Sequence, residues 1–207
     1  MSNYKSLEEI KKFWPKEAPN IKNVFKYVSK YKDDLIVIKY GGNVLIDRNV
    51  FNNFIDDIFI LNLLGLSIVV VHGGGPRIEK ELEKEKIQTK FLNGLRITDE
   101  KVIKIVEDVL IDFNNDIVRS LNKKGCKAVS INSKINNIID VVPDIQELGF
   151  VGLPNKININ IIKDIIDKKQ IPVVAPLGLD DNKLTYNING DTAASASAKN
   201  RRSRRLF

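Results

Sequence analysis

Twice in the first third of the chain, a short apolar run ends in consecutive glycines and then gives way to a helix-spaced stretch. Residues 35–39 read LIVIK and lead into Gly41-Gly42; residues 67–71 read SIVVV and lead, through His72, into Gly73-Gly74-Gly75-Pro76. A continuous apolar run of this length, without polar alternation, is the pattern of a strand buried on both faces. Between the two runs, after Asp47, Phe51, Phe54, Ile55, Ile58, Leu61 and Leu64 recur at three- and four-residue steps up to Gly65. That spacing predicts an amphipathic helix with a glycine stop. After the second run Pro76 stands where a first helical residue would, and residues 78–86 continue as a charged helix. Strand, turn and helix twice in succession predict a βαβ unit and a parallel sheet with helices on its faces.

The remainder extends the same pattern. Thr98-Asp99-Glu100 sets a capping residue and two acids ahead of a periodic helix over 102–121, which Gly125 stops. Residues 127–131 and 171–175 read as further buried strands, and 158–168 as a helix. Residues 138–142 and 150–151 have the short alternation of hairpin strands and predict an antiparallel flap. A last helix rich in small residues begins at Asp191, and Leu206-Phe207 looks like the onset of one more strand. In the N-terminal segment, Phe13, Trp14, Phe25 and Tyr27 predict docking against the body or a neighbouring subunit.

Composition narrows the function classes. With one histidine and one cysteine among 207 residues, a disulfide framework, a cysteine cage and a three-histidine zinc centre are excluded, and no metal ligand set is assigned. The net charge of +7 is concentrated in Lys199, Arg201, Arg202, Arg204 and Arg205, and the rest of the chain is close to neutral. No aromatic residue interleaves that tail, so it reads as a solvated helix end rather than a nucleic-acid arm. Residues 1–12 carry no apolar export core, and no run approaches the roughly 18 residues of a membrane span, so neither a membrane nor a nucleic-acid partner is expected. A cytoplasmic location is the expectation that follows.

Four clusters can carry chemistry. Lys39 sits at the carboxyl end of the first strand with Gly41 and Gly42 behind it, where open α/β sheets bind ligands. Its alternative is a solvent-facing lysine beside a plain turn. Three consecutive glycines before a helix expose successive N–H groups at the positive end of a helix dipole, a cradle for phosphate or carboxylate. A tight turn explains one of those glycines and not all three. No Gly-Lys-Ser/Thr follows and no GxGxxG occurs, so this is neither a Walker A loop nor a dinucleotide fingerprint. His72 itself reads as a packed strand-end residue rather than a base. Arg96, within Asn93-Gly94-Leu95-Arg96-Ile97-Thr98, offers a two-pronged carboxylate partner, although by residue type it reads as a surface arginine in a loop. Asn187, Asn189 and Asp191 gather at a strand-to-helix junction, where Asp191 reads first as a helix cap and alternatively as part of a ligand-holding cluster.

Taken in order, the stretches IVIKYGGNVL, IVVVHGGGPRIEKEL, FLNGLRITDEKVIKIVEDVL, ELGFVGLPNKI, IPVVAPLG and YNINGDTAA resemble the acetylglutamate kinase branch of the amino acid kinase family. The similarity runs from about residue 21 to the end. The resemblance implies an α/β three-layer sandwich with a mainly parallel central sheet. It also implies ATP-dependent phosphorylation of the side-chain carboxylate of N-acetyl-L-glutamate, a step of arginine biosynthesis, with Mg²⁺ accompanying ATP. On the matching positions it implies Lys39 and Asp191 as catalytic residues, the first stabilising charge on the moving phosphoryl group and the second orienting lysines. Gly41, Gly42 and Gly74 would bind phosphate; Gly74, Gly75, Arg96, Asn187 and Asn189 would bind substrate. A homo-oligomer, dimer or hexamer, is implied as well.

The chain also departs from the family pattern. Residue 190 is Gly where relatives usually carry Ala, and residues 130–134 lack an expected glycine. Family members normally continue through a nucleotide-binding part that these residues do not include. The expected division is therefore a helical extension over 1–32, an acylglutamate-binding domain over 33–190, and the start of a truncated ATP-binding domain over 191–207. Two further readings stay open: a non-catalytic binding or oligomerisation module, and a related kinase for another acyl carboxylate.

Overall fold

The computed structural model describes residues 7–31, 34–41, 47–199 and 205–206. The N-terminal segment holds two short helices, α1 (Leu7–Lys11) and α2 (Ile21–Val28), and docks as its aromatic content predicted. Ile10, Ile21 and Val28 are buried in the main core, and Phe13 meets Phe59 edge-on at 5.1 Å. The two predicted strand–turn–helix units follow as β1 (Leu35–Tyr40), α3 (Arg48–Leu63), β2 (Ser67–His72) and α4 (Gly75–Lys84). Asp47 caps α3 by accepting from the Asn49 and Val50 N–H groups, and Gly65 takes φ 78 beyond its end. A small hairpin, β3 (Phe91–Leu92) and β4 (Leu95–Arg96), precedes the long helix α5 (Glu100–Lys123).

Next come β5 (Ala128–Ile131), β6 (Ile139–Pro143), β7 (Gly152–Ile157), α6 (Ile159–Asp167), β8 (Ile171–Val174), β9 (Leu177–Leu179) and β10 (Thr185–Asn187). The described chain closes with α7 (Gly190–Lys199) and β11 (Arg205–Leu206). The central sheet has the order β11-β1-β2-β8-β5, and every pairing in it is parallel. Successive side chains of β2 point to opposite faces: Ile68 and Val70 enter the core beneath α3 and α5, while Val69 and Val71 enter the core beneath α6 and α7. All four are buried to within 2% of full exclusion, and burying an aliphatic side chain of this kind stabilises by roughly 1.5–3 kcal/mol. The result is the expected α/β sandwich of helices, parallel sheet and helices. Among the described residues no helix is long and apolar enough to cross a membrane. Of the basic tail, residues 200–204 lie outside the described set.

The flap differs from its sequence expectation. Instead of a two-stranded hairpin over 138–142 and 150–151, it is a four-stranded sheet, β10-β9-β6-β7, and its second strand starts only at Gly152. Residues 149 and 150 are engaged elsewhere. Phe150 N–H donates to the Thr98 carbonyl at 2.7 Å, and Thr98 N–H to the Leu148 carbonyl at 3.0 Å. Gly149 makes that approach possible: its φ is +66, and a Cβ there would stand 2.4 Å from the Thr98 oxygen. The flap is thereby tethered to the entrance of α5, next to Arg96.

Candidate active site

The carboxyl ends of β1 and β2 open onto a hollow of about 220 Å³. Lys39 and Gly41 come from the first strand, Gly73 to Pro76 from the turn after the second, Arg96 from the hairpin, and Asn187 to Asp191 from the junction of β10 with α7. The predicted site residues Lys39, Gly41, Gly74, Gly75, Arg96, Asn187, Asn189 and Asp191 therefore line one space. Gly42 falls outside the described residues.

The glycine turn is held at both ends. Gly73 N–H donates to the Tyr40 carbonyl at 2.7 Å, which ties the turn to β1, and the Gly74 carbonyl accepts from Ile78 N–H at 2.9 Å inside α4. The two glycines that follow have different surroundings. A Cβ on Gly74 would lie 2.4 Å from Leu110 Cδ2, whereas a Cβ on Gly75 would meet nothing within 4 Å. Packing requires the first to be small; the second is bare where α4 begins, with its N-terminal N–H groups exposed to whatever fills the hollow.

Lys39 Nζ stands 3.1 Å from Asp191 Oδ1. This corrects the first reading of Asp191 as a helix cap. The cap is Asn189, whose Oδ1 accepts from the Asp191 and Thr192 N–H groups at 2.9 and 3.1 Å. Asp191 is thereby freed to face the lysine, with three quarters of its side chain exposed. At Gly190 a Cβ would find its nearest neighbour, Gly73 Cα, at 3.6 Å, an ordinary contact, so the departure from alanine there is sterically neutral.

Arg96 is not a surface loop residue: its side chain is 7% exposed. Nη1 donates to Glu79 Oε2 at 2.8 Å and to Thr89 Oγ1 at 2.9 Å, Nη2 approaches the Gly75 carbonyl at 3.4 Å, and the guanidinium carbon lies 4.8 Å from the Phe91 ring centre. Of the five donors on a guanidinium, two remain without an acceptor among the described residues. Burial raises the Glu79 carboxyl, but hydrogen bonds from Arg96 and Thr89 together with the guanidinium charge outweigh it and hold that carboxyl below its ordinary value. The signal for this geometry was the Asn93-Gly94 pair, which sits at φ 51 and 79 in a two-residue hairpin turn. That turn folds Arg96 back over α4.

His72 is fully buried and packs edge-on to Phe113 at 5.0 Å, so the packed reading of it holds. Burial, foremost, pushes its pKa down to about 4, the Gly73 carbonyl opposing and the Arg77 charge assisting. Beside it lies Asn114 of α5, a fully buried amide that sequence reasoning did not single out. In the helical periodicity Asn114 is one polar residue among several, and only tertiary contact distinguishes it.

Chemically, the hollow offers bare backbone donors, a helix N-terminus, one lysine and one buried guanidinium around a small volume. It suits a small carboxylate next to a phosphoryl group. The profile of the amino acid kinase family matches residues 34–206. The chain is 49% identical over 200 residues to acetylglutamate kinase of Pelagibacter ubique (strain HTCC1062), covering 97% of this chain and 69% of that protein. It is 40% identical over 184 residues to acetylglutamate kinase of Caldanaerobacter subterraneus subsp. tengcongensis, covering 87% and 62% respectively. Among solved structures, smu.665 from Streptococcus mutans UA159 superposes with a TM-score of 0.73 at 31% identity, over 81% of this chain and 68% of that one. The chain thus spans between 62% and 69% of the length of those two kinases.

Proposed function

The chain belongs to the amino acid kinase family, and from that premise we propose that it is the acylglutamate-binding part of an acetylglutamate kinase, phosphorylating the side-chain carboxylate of N-acetyl-L-glutamate with ATP in arginine biosynthesis. The observation supporting this reading is that Lys39, Gly74, Arg96 and Asp191, which come from four separate segments of the chain, face one hollow at the carboxyl end of the parallel sheet.

In this reading the two free donors of Arg96 hold one carboxylate of the substrate, and Asn187 and Asn189 border the acetylated end. The N–H groups of Gly41, Gly74 and Gly75 donate to phosphoryl and carboxylate oxygens, and the same phosphate-binding role is proposed for Gly42. A side-chain carboxylate oxygen of the substrate attacks the γ-phosphorus of ATP in line, the bond to the β-bridging oxygen breaks, and ADP leaves as an acyl phosphate forms. Little covalent chemistry is asked of the protein, so positioning and charge neutralisation supply the rate. Lys39 offsets charge on the moving group, and Asp191 keeps the ammonium aimed into the hollow. In the same reading Mg²⁺ would arrive with ATP, held chiefly by the nucleotide phosphates.

The same proposal assigns 1–32 as a helical extension, 33–190 as the acylglutamate-binding domain and 191–207 as the start of the nucleotide-binding one, in a cytoplasmic homo-oligomer, dimer or hexamer. The exposure of Phe13 and Tyr27 on the N-terminal segment supports the assembly, which sedimentation would measure.

Isothermal calorimetry with N-acetyl-L-glutamate, and a coupled ADP-release assay on the chain extended to the length of its relatives, test the proposal. Acetylglutamate heat and acetylglutamate-dependent turnover are expected. Turnover with another acyl carboxylate, such as N-acetylaminoadipate, and none with acetylglutamate would overturn the substrate; heat from the 207-residue chain with no turnover after extension would leave the binding-module reading in its place.

A further inference from the structure

Behind the glycine cradle runs a chain of hydrogen bonds that the proposed chemistry leaves unused. Asn132 Nδ2 donates to Ser130 Oγ at 2.9 Å, and Ser130 Oγ donates to Asn114 Oδ1 at 2.6 Å. Asn114 Nδ2 sits 2.9 Å from the Val173 carbonyl and 3.1 Å from His72 Nε2. His72 Nδ1, in turn, is 2.8 Å from the Gly73 carbonyl. These contacts leave one consistent arrangement of protons. A carbonyl only accepts, so Nδ1 carries the ring proton; an amide NH₂ only donates, so Nε2 presents its lone pair. Val173 and Ser130 fix which end of the Asn114 amide faces the ring, because the carbonyl demands its nitrogen and the hydroxyl, itself receiving from Asn132, gives to its oxygen.

The next link is covalent. In a trans peptide the carbonyl of one residue and the N–H of the next point in opposite directions, and the described chain has no cis peptide bond. A Gly73 carbonyl drawn back onto the His72 ring therefore turns the Gly74 N–H the other way, towards the hollow that Gly73, Gly74 and Gly75 line. That N–H has no acceptor among the described residues. Without a second anchor, a glycine turn can rotate this peptide at little steric cost; the Gly73 N–H is anchored to Tyr40, and the ring supplies the anchor on the other side.

The geometry points to His72 as a positioning residue: its ring, held in one tautomer by Asn114, fixes the Gly73 carbonyl and so aims the Gly74 N–H at the bound anion. The inference rests on the reading of the hollow as an acylglutamate and phosphate site, and deepens it. Every bond in the series runs in one sense, donor to acceptor, from Asn132 to Gly74, and hydrogen bonds aligned in this way polarise one another. The strongly lowered basicity of the buried ring keeps it neutral through the physiological range, so the direction of the series does not reverse there.

His72 is the only histidine in the sequence, so its ring nitrogens are assigned without ambiguity. Long-range ¹H–¹⁵N NMR on the unmodified chain is expected to show the Nδ1–H tautomer at pH 7. The Gly74 amide resonance is expected to move on titration with N-acetyl-L-glutamate and with inorganic phosphate. His72→Phe, which keeps a ring and removes both hydrogen bonds, should weaken acetylglutamate binding at least tenfold. His72→Asn, whose amide reproduces the Nδ1 donor, should recover affinity to within threefold of the original. Nδ1–H together with a phosphate-induced Gly74 shift but no acetylglutamate binding would retire the substrate and keep the positioning role. An Nε2–H tautomer, a Gly74 amide insensitive to both ligands, or a folded His72→Phe protein with unchanged affinity overturns the positioning role whichever ligand binds.

Discussion

Among the described residues, the lysine and the arginine that line the hollow each hold an ion pair, and the two pairs differ in burial. Lys39 and Asp191 meet at 3.1 Å with side chains 27% and 75% exposed; Arg96 and Glu79 meet at 2.8 Å with side chains 7% and 39% exposed. An exposed pair is screened by water and contributes about 0–1 kcal/mol to stability. The second pair is buried on the arginine side only, so removing Arg96 leaves a carboxylate that water still reaches, at a cost below the ~3–5 kcal/mol of breaking a fully buried pair. The lysine pair is therefore free to change partners as charge moves, which suits a transfer site. The arginine pair is part of the framework and suits holding a substrate still.

Arg96→Met tests the framework side and should have the largest effect. It leaves the Glu79 carboxyl without its main partner and removes the carboxylate fork. Calorimetry should show acetylglutamate affinity reduced by 100-fold or more, and the denaturation midpoint should fall measurably; an unchanged midpoint would break the comparison. Asp191→Asn tests the other side. Stability should stay within about 0.5 kcal/mol, as for most surface changes, while turnover of the extended chain should drop by about 10- to 100-fold because the ammonium loses its aim. A stability loss equal to that of Arg96→Met would mean that the two pairs are alike after all.

The glycines sharpen the same contrast. Gly74→Ala drives a Cβ to 2.4 Å from Leu110 Cδ2 and should destabilise by about 1–3 kcal/mol in urea titrations. Gly75→Ala meets nothing within 4 Å of protein, so it should leave stability nearly unchanged and still weaken binding by occupying the cradle. At His72, the folded pKa of about 4 lies below the unfolded value of 6.5. The unfolded chain therefore binds the proton first on acidification. Stability from this residue is fully present above pH 6.5 and is lost as pH falls towards 4, by about 3 kcal/mol in all. Thermal midpoints of the unmodified chain should decline over that window more steeply than those of His72→Asn. Gly190→Ala should do least. Its Cβ makes an ordinary 3.6 Å contact and alanine favours the helix, so a gain of about 0.5 kcal/mol or less is expected.

Strand and helix positions were legible because buried parallel strands and amphipathic helices write their periods locally: Ile68 to Val71 and Phe51 to Leu64 could be assigned without knowing any neighbour. The site was legible in part. Lys39, Gly74, Gly75 and Asp191 stand at strand and helix ends, where backbone geometry alone directs them towards the hollow. The start of β7 was misplaced because Leu148 and Phe150 bond to Thr98, some fifty positions earlier in the chain, and no local pattern records such a tether.

By itself, then, the sequence determined the alternation of strand and helix and the glycine turns, since each depends on the few residues around it; the caps it pointed to were off, because Asp99 rather than Thr98 caps α5 and Asn189 rather than Asp191 caps α7. Tertiary structure alone decided that Arg96 is buried on Glu79, that Asp191 faces Lys39, and that Asn114 reads the His72 ring. Those outcomes depend on which side chains meet across the fold, and a hydrogen bond between distant segments is chosen by burial and geometry, neither of which a local window of sequence contains.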